Sequence, residues 1–231
     1  MPTLLTRSDL CPQDLVVLRE FVRFGVLAAD QIERRYGDPA LASARVRVLH
    51  EGGLLLKWRD TLDGARVYSP TRLGEHLAEL QVDRRRTNER HLVHDVALVD
   101  LADYLLARDP TLGWRTEREL RQVLDAIAPP PVHFPGDERH RPDGLLLRGR
   151  ERIGVELELS DKAELRYHRI SRWFAREYRL DGVRWYVDHP RLVERLRQVN
   201  ETSGFARDIG VEVEPLPPGV TVRRRPDRFE P

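Results

Sequence analysis

From Arg141 to Lys162 the chain reads RPDGLLLRGRERIGVELELSDK, and over IGVELELS apolar and acidic side chains alternate with period two rather than 3.6. Strands satisfy that pattern, because successive strand residues point to opposite faces. The intervening RGRER is short enough for a hairpin connection, so the two runs are expected to pair antiparallel. Ile153, Val155, Leu157 and Leu159 then share one face, and Glu156 and Glu158 share the other. Asp143 begins the partner strand directly after Pro142, which brings three carboxylates toward one edge. On a half-exposed strand the glutamates simply occupy the wet face. As a cluster, carboxylates within a few ångströms raise one another's pKa unless a cation neutralises them, which favours a hard oxygen-binding ion such as Mg²⁺ or Mn²⁺.

Upstream, Leu15, Leu18 and Val22 recur at helical spacing and predict a first amphipathic helix ending near Gly25. A second helix runs through AADQIERRYG. Asp38 then caps and Pro39 starts a third, ALASARVRVLHE, closed by Gly52 and Gly53. The run GLLLKWRDTLDGARVYSP reads as a hairpin turning at Asp63-Gly64, and the helix TRLGEHLAEL follows. The order of three helices, a two-stranded wing and a helix resembles a winged helix-turn-helix domain, in which the third helix enters the DNA major groove. That resemblance makes Ser43, Arg45 and Arg47 on the third helix, Arg34 and Arg35 on the second, and Lys57, Arg59 and Arg66 on the wing candidates for DNA contact. Acidic neighbours such as Glu33, Glu51, Asp60 and Asp63 leave open that these are solvated cations, and winged helices also dock proteins.

The polar stretch QVDRRRTNER marks the expected junction between a domain over residues 1–82 and a second over 90–215, with a basic tail over 216–231 expected to lie loosely on the surface. The second domain opens with HLVHDVALVDLADYLLAR, apolar around most of its circumference and therefore a largely buried helix. A strand GWRTE, an amphipathic segment RELRQVLDAI and the proline-dense loop APPPVHFPGDERHRPD lead to the hairpin. A long helix, DKAELRYHRISRWFAREYRL, then a strand VRWYVD and a helix PRLVERLRQVN follow. On the long helix Arg169, Arg172 and Arg176 recur at three- and four-residue steps, a basic stripe suited to a phosphate backbone or to plain solvation. His91, His94 and Asp95, Glu117 and Glu119, and the loop histidines His133 and His140 are further titratable groups within reach of such a site; helix capping and solvation are their ordinary roles.

With 40% hydrophobic and 33% charged residues in 231 positions, the chain has the composition of a globular protein with a real core. No apolar run approaches the ~18 to 20 residues that span a bilayer, and the N-terminus lacks the long apolar core of a signal peptide, so a cytoplasmic protein is expected. The single Cys11 excludes an internal disulfide or a cysteine-built zinc site. The net charge is +1, and among the 39 cations only Lys57 and Lys162 are lysine. Arginine suits bidentate phosphate contact.

The order helix, strand, hairpin with Pro-Asp and Glu-x-Glu, helix, strand resembles the PD-(D/E)XK nuclease superfamily. With the winged helix in front, the chain resembles the replication-relaxation family of plasmids and integrative elements over roughly residues 10 to 190. The resemblance implies an α/β chain: an N-terminal winged helix-turn-helix followed by a restriction-endonuclease-like αβββαβ domain. It implies double-stranded DNA as partner, no membrane, and metal-dependent DNA endonuclease chemistry in plasmid replication or transfer, with Asp143 and Glu156 as ligands of Mg²⁺ or Mn²⁺. Homodimerisation and association with other plasmid replication or transfer proteins are compatible with it. The lysine that the superfamily places two residues after the first strand acid is here Glu158. Glu158 is then a general base or second ligand, or Lys162 supplies the displaced cation. The alternative is a non-catalytic DNA-binding or regulatory protein on a degenerate nuclease fold.

Overall fold

Cap residues set the element ends in the N-terminal third. In a computed structural model, which describes residues 5–59, 62–82, 87–121, 140–176, 180–202 and 210–224, helix α1 (Pro12–Phe24) ends at Gly25 with φ +83° and α2 (Ala29–Tyr36) at Gly37 with φ +74°. Glycine reaches this left-handed conformation without a Cβ penalty. The Asp38 carboxylate accepts from the Leu41 N–H at 2.7 Å, and Pro39 opens α3 (Pro39–Glu51). Strands β1 (Leu27–Ala28), β2 (Leu55–Lys57) and β3 (Val67–Pro70) form an antiparallel sheet in the order β1-β3-β2. The β2–β3 hairpin turns at Asp63 and Gly64, both with positive φ. Thr71 caps α4 (Arg72–Ala78) by accepting from the Gly74 N–H.

Val17, Leu18 and Phe21 of α1, Ile32 of α2, Leu49 of α3 and Leu54 form one buried cluster, which Val99 of α5 (Leu92–Arg108) joins. Leu92 and Val96 of the same helix close a second cluster with Val26, Ala28, Leu62 and Val67. The first compact unit is accordingly residues 1–100 together with 221–231, and the second is residues 101–220. The division falls inside α5 rather than in the polar stretch 81–90, because the first turns of α5 supply apolar surface that the N-terminal elements lack. The tail also departs from expectation: Arg223 is buried in the first unit.

In the second unit, β4 (Leu112–Thr116), β5 (Gly144–Arg148), β6 (Glu151–Glu158), β7 (Gly182–Val187) and β8 (Gly210–Pro215) form one mixed sheet in sequential order. The pairings β4–β5 and β5–β6 are antiparallel, and β6–β7 and β7–β8 are parallel. Helix α6 (Glu164–Arg176) connects β6 to β7, and α7 (Pro190–Thr202) follows β7. Tyr167, Ile170 and Phe174 of α6 and Leu192, Val193 and Leu196 of α7 pack with Val183, Trp185 and Val187 of β7. The molecule is thus mixed α/β with two sheets. None of its described helices is long and apolar enough to cross a membrane.

The glutamate face of β6 is not wet. Glu156 and Glu158 stand abreast of Trp185 and Val187 and are 5% and 2% exposed. Alternation correctly separates the two faces, but β6 has a strand on either edge and its acidic face turns toward the side that α6 and α7 cover. Residues 122–139, which hold most of the proline-dense segment and His133, lie outside the described residues.

Candidate functional site

The β5–β6 register sets Gly144 opposite Val155, so Asp143, one residue earlier, comes abreast of Glu156. The ladder ends there, and the Asp143 side chain continues it: Oδ2 accepts from the Leu157 N–H at 2.9 Å. The Asp143 carbonyl accepts from the Glu117 N–H at 3.2 Å. Gly144 admits the Trp114 ring against the backbone, where an added Cβ would meet it at 2.2 Å.

A carboxylate buried in a central strand needs a cation or a proton. Glu156 has both within reach. Its Oε1 lies 2.8 Å from Nε2 of His140, whose ring packs edge-on against Trp173 and Phe174. Burial pushes the Glu156 carboxyl up to about 7; the charge on Asp143 adds to the rise, while His140 and Lys162 oppose it. For His140, burial disfavours the cation, but the attraction and hydrogen bond of Glu156, with Asp143 beyond, outweigh it and raise the imidazole. Glu158 is answered by Lys162, whose Nζ stands 2.5 Å from Oε2, and Oε1 accepts from the Ser160 N–H at 3.3 Å. The Lys162 N–H donates to the Tyr167 hydroxyl, which donates to the Ser160 carbonyl. These two bonds fix the short link between β6 and α6, so Lys162 returns over the strand end from just before the helix.

All four residues expected at this site, Asp143, Glu156, Glu158 and Lys162, therefore meet at the carboxyl end of β6. Open α/β sheets bind ligands at the carboxyl ends of parallel strands. His140 joins them. Its only sequence signal is its position three residues before Asp143, and nothing local announces that it is buried. Glu119 instead accepts from the Thr116 N–H and hydroxyl, and Glu117 pairs with Arg121. His94 and Asp95 pair with each other in the first unit.

Among the described residues, no group of three or more His, Cys, Asp or Glu side chains is arranged to hold a metal ion. Asp143 and Glu156 are two carboxylates abreast, the Glu156 ionisation suppressed by burial and by the Asp143 charge; they could offer oxygen donors to a hard cation that keeps water for the rest of its shell. Beside them, α6 exposes Arg166, Arg169 and Arg172 opposite its buried Tyr167, Ile170 and Phe174; Arg176 ends the helix.

The first unit carries a second feature, an open groove of about 840 Å³ between α3 and the β2–β3 hairpin. Ser43, Arg47 and His50 line one wall and Lys57, Gly64 and Arg66 the other, with Glu33 as the acidic member. Arg59 is exposed on the hairpin outside the lining. The remaining candidates on α2 and α3 are engaged by carboxylates, although the Arg34 side chain stays 46% exposed. Arg45 donates through Nε and Nη2 to Asp14, which is fully buried. Arg34 pairs with Asp30 and with buried Asp100, and Arg35 with Glu20 and the Gln31 carbonyl. Helical spacing places Arg45 near Arg47 in sequence, but only burial reveals that it serves Asp14.

Comparison with family models, with curated proteins and with solved structures returns no match to this chain.

Proposed function

We propose that the chain binds double-stranded DNA through a winged-helix unit and carries, in a restriction-endonuclease-like αβββαβ unit, a site for Mg²⁺- or Mn²⁺-dependent cleavage of the phosphodiester backbone, as the replication-relaxation resemblance implies. The observation that carries the reading is Asp143 abreast of Glu156, with Lys162 seated on Glu158. In this reading Lys162, paired with Glu158 four residues beyond the strand position where the superfamily has its lysine, would supply that cation.

Asp143 and Glu156 would hold the cation. When bound, the ion supplies an acidified water and shields the phosphate's negative charge. Glu158 keeps the Lys162 ammonium over the strand end, where it can orient a nucleophile and offset the charge that develops on phosphorus oxygens. Without a cation, His140 partners the Glu156 carboxyl across their 2.8 Å contact. Arg166, Arg169 and Arg172 offer contacts to the backbone, and Ser43, Arg47, Lys57 and Arg66 line the groove that receives the duplex.

A second reading, a DNA-binding or regulatory protein without catalysis, is favoured by one observation: both buried glutamates already have cationic partners within the chain. Incubating the protein with supercoiled and linear duplex DNA, with and without Mg²⁺ or Mn²⁺, separates the two. Cleavage that Asp143→Ala and Glu156→Ala abolish without loss of gel-shift binding supports the enzyme. A parent protein that binds duplex yet cuts no DNA form with either metal decides for the second reading.

A further inference from the structure

The chain leaves the second unit after β8 and returns to the first. Arg223, whose side chain is 7% exposed, donates from Nη1 to Asp100 at 2.7 Å and from Nη2 to Asp30 at 2.5 Å. Asp100 also accepts from Gln31 and Arg34. One residue further, the Arg224 backbone exchanges two hydrogen bonds with Asp63 at the hairpin turn. The Asp63 N–H donates to the Arg224 carbonyl at 2.8 Å, and the Arg224 N–H donates to Asp63 Oδ2 at 2.9 Å.

Burying a guanidinium between carboxylates carries a heavy desolvation cost, which a tail lying loosely in water never meets. What the burial achieves is position. The hairpin turn, made of Asp63 and Gly64 in left-handed conformation, is exposed, and the returning segment holds it by these two hydrogen bonds. The same anchor sets Arg224, which is exposed, next to a turn whose Gly64, Ala65 and Arg66 line the basic groove. The segment VRRRP over residues 222–226 contains no acid.

We propose that the C-terminal arm, Thr221–Arg224, is a third component of the polyanion-binding face. It clamps the hairpin turn and places Arg224 beside Arg66, so that duplex phosphates are contacted by α3, the hairpin and the arm together. This rests on the DNA-binding reading of the groove.

The test is the salt dependence of duplex-oligonucleotide binding by the full chain carrying Arg224→Ala, Arg223→Ala or Arg47→Ala, with amide hydrogen exchange at Asp63 measured in parallel. Each phosphate that the protein no longer neutralises flattens the slope of log affinity against log salt by roughly 0.9. Arg224→Ala, a surface change, is expected to flatten it by about one such step. Arg223→Ala is expected to do the same with Arg224 still present, and to accelerate exchange of the Asp63 amide. If Arg47→Ala flattens the slope while Arg224→Ala leaves it at the parental value, the arm lies outside the interface and the proposal is overturned. If the parent binds no duplex at any salt concentration, the reading of the groove fails, and the proposal with it.

Discussion

Asp14 lies fully buried at the start of α1 and accepts from Arg45, from the Tyr36 hydroxyl at 2.7 Å and from the Cys11 N–H at 2.9 Å. Burial opposes its ionisation, yet the donors from Arg45, Tyr36 and Cys11 outweigh burial and hold its pKa below the ordinary carboxylate value. Removing Arg45 strands that charge, so Arg45→Ala should lower stability by about 3–5 kcal/mol. Arg47→Ala, two residues away and exposed, should stay within about 0.5 kcal/mol of the parent in a urea titration. Equal losses would contradict the division between them. Glu156 and His140 behave in the opposite sense to Asp14. Both have raised pKa values in the folded chain, so the folded state holds protons that the unfolded state releases. Their contribution is complete below the unfolded values and fades as pH rises through the folded ones. For Glu156 that window opens near the ordinary 4.5 and closes at about 7, with the pair titrating as a unit. Glu156→Gln, neutral at every pH, should therefore flatten the fall in melting temperature between about pH 5 and 8, and an unchanged profile would remove the pair as its source.

The β5–β6 hairpin shows what an element discloses in sequence and what it withholds. Alternation from Ile153 to Leu159 identifies the strand, the parity of its faces and the approach of Asp143 to Glu156, because these depend only on neighbours along the chain. Whether the acidic face meets water depends on β7 and α6, which belong to later sequence, so edge and central strand read alike. His140 was hidden for the same reason: a loop histidine becomes a buried partner only once β6 lies beneath it. The strand β8 lies outside the expected αβββαβ order; valine and glutamate alternate in VEVEP, but the prolines that follow make the stretch read as a loop. Gly144 makes the packing at this hairpin testable. A methyl there would meet the Trp114 ring at 2.2 Å, and its neighbours are the ladder end and Asp143. Gly144→Ala should cost about 1–3 kcal/mol as an overpacking change. It should also alter the near-ultraviolet circular dichroism of Trp114, whereas Gly149→Ala, in the open turn with no atom within 4 Å of the added Cβ, should leave that signal intact. A Gly144→Ala protein with the parental spectrum and melting point would show that the ring moves aside freely.

At the scale of the molecule, the first unit is assembled from two separated stretches of sequence: residues 1–100, which run from the N-terminal elements into the opening turns of α5, and the returning arm. A boundary drawn at the polar stretch 81–90 therefore cuts through a core. Leu92, Val96 and Val99 are fully buried among N-terminal residues, and burying an aliphatic side chain of this kind contributes about 1.5–3 kcal/mol. Together they supply roughly 5–9 kcal/mol, the order of the whole stability of a domain, about 5–15 kcal/mol. A fragment over residues 1–82 should consequently show weak helical circular dichroism and no cooperative melting. Extending it to residue 108 restores those side chains but leaves Asp100 without Arg223. That longer fragment should fold with a depressed melting temperature, since Asp100 keeps Gln31 and Arg34 but loses Arg223. A 1–82 fragment melting as sharply and as high as the full chain would show instead that the N-terminal elements stand alone, and that α5 and the arm are additions to a unit complete without them.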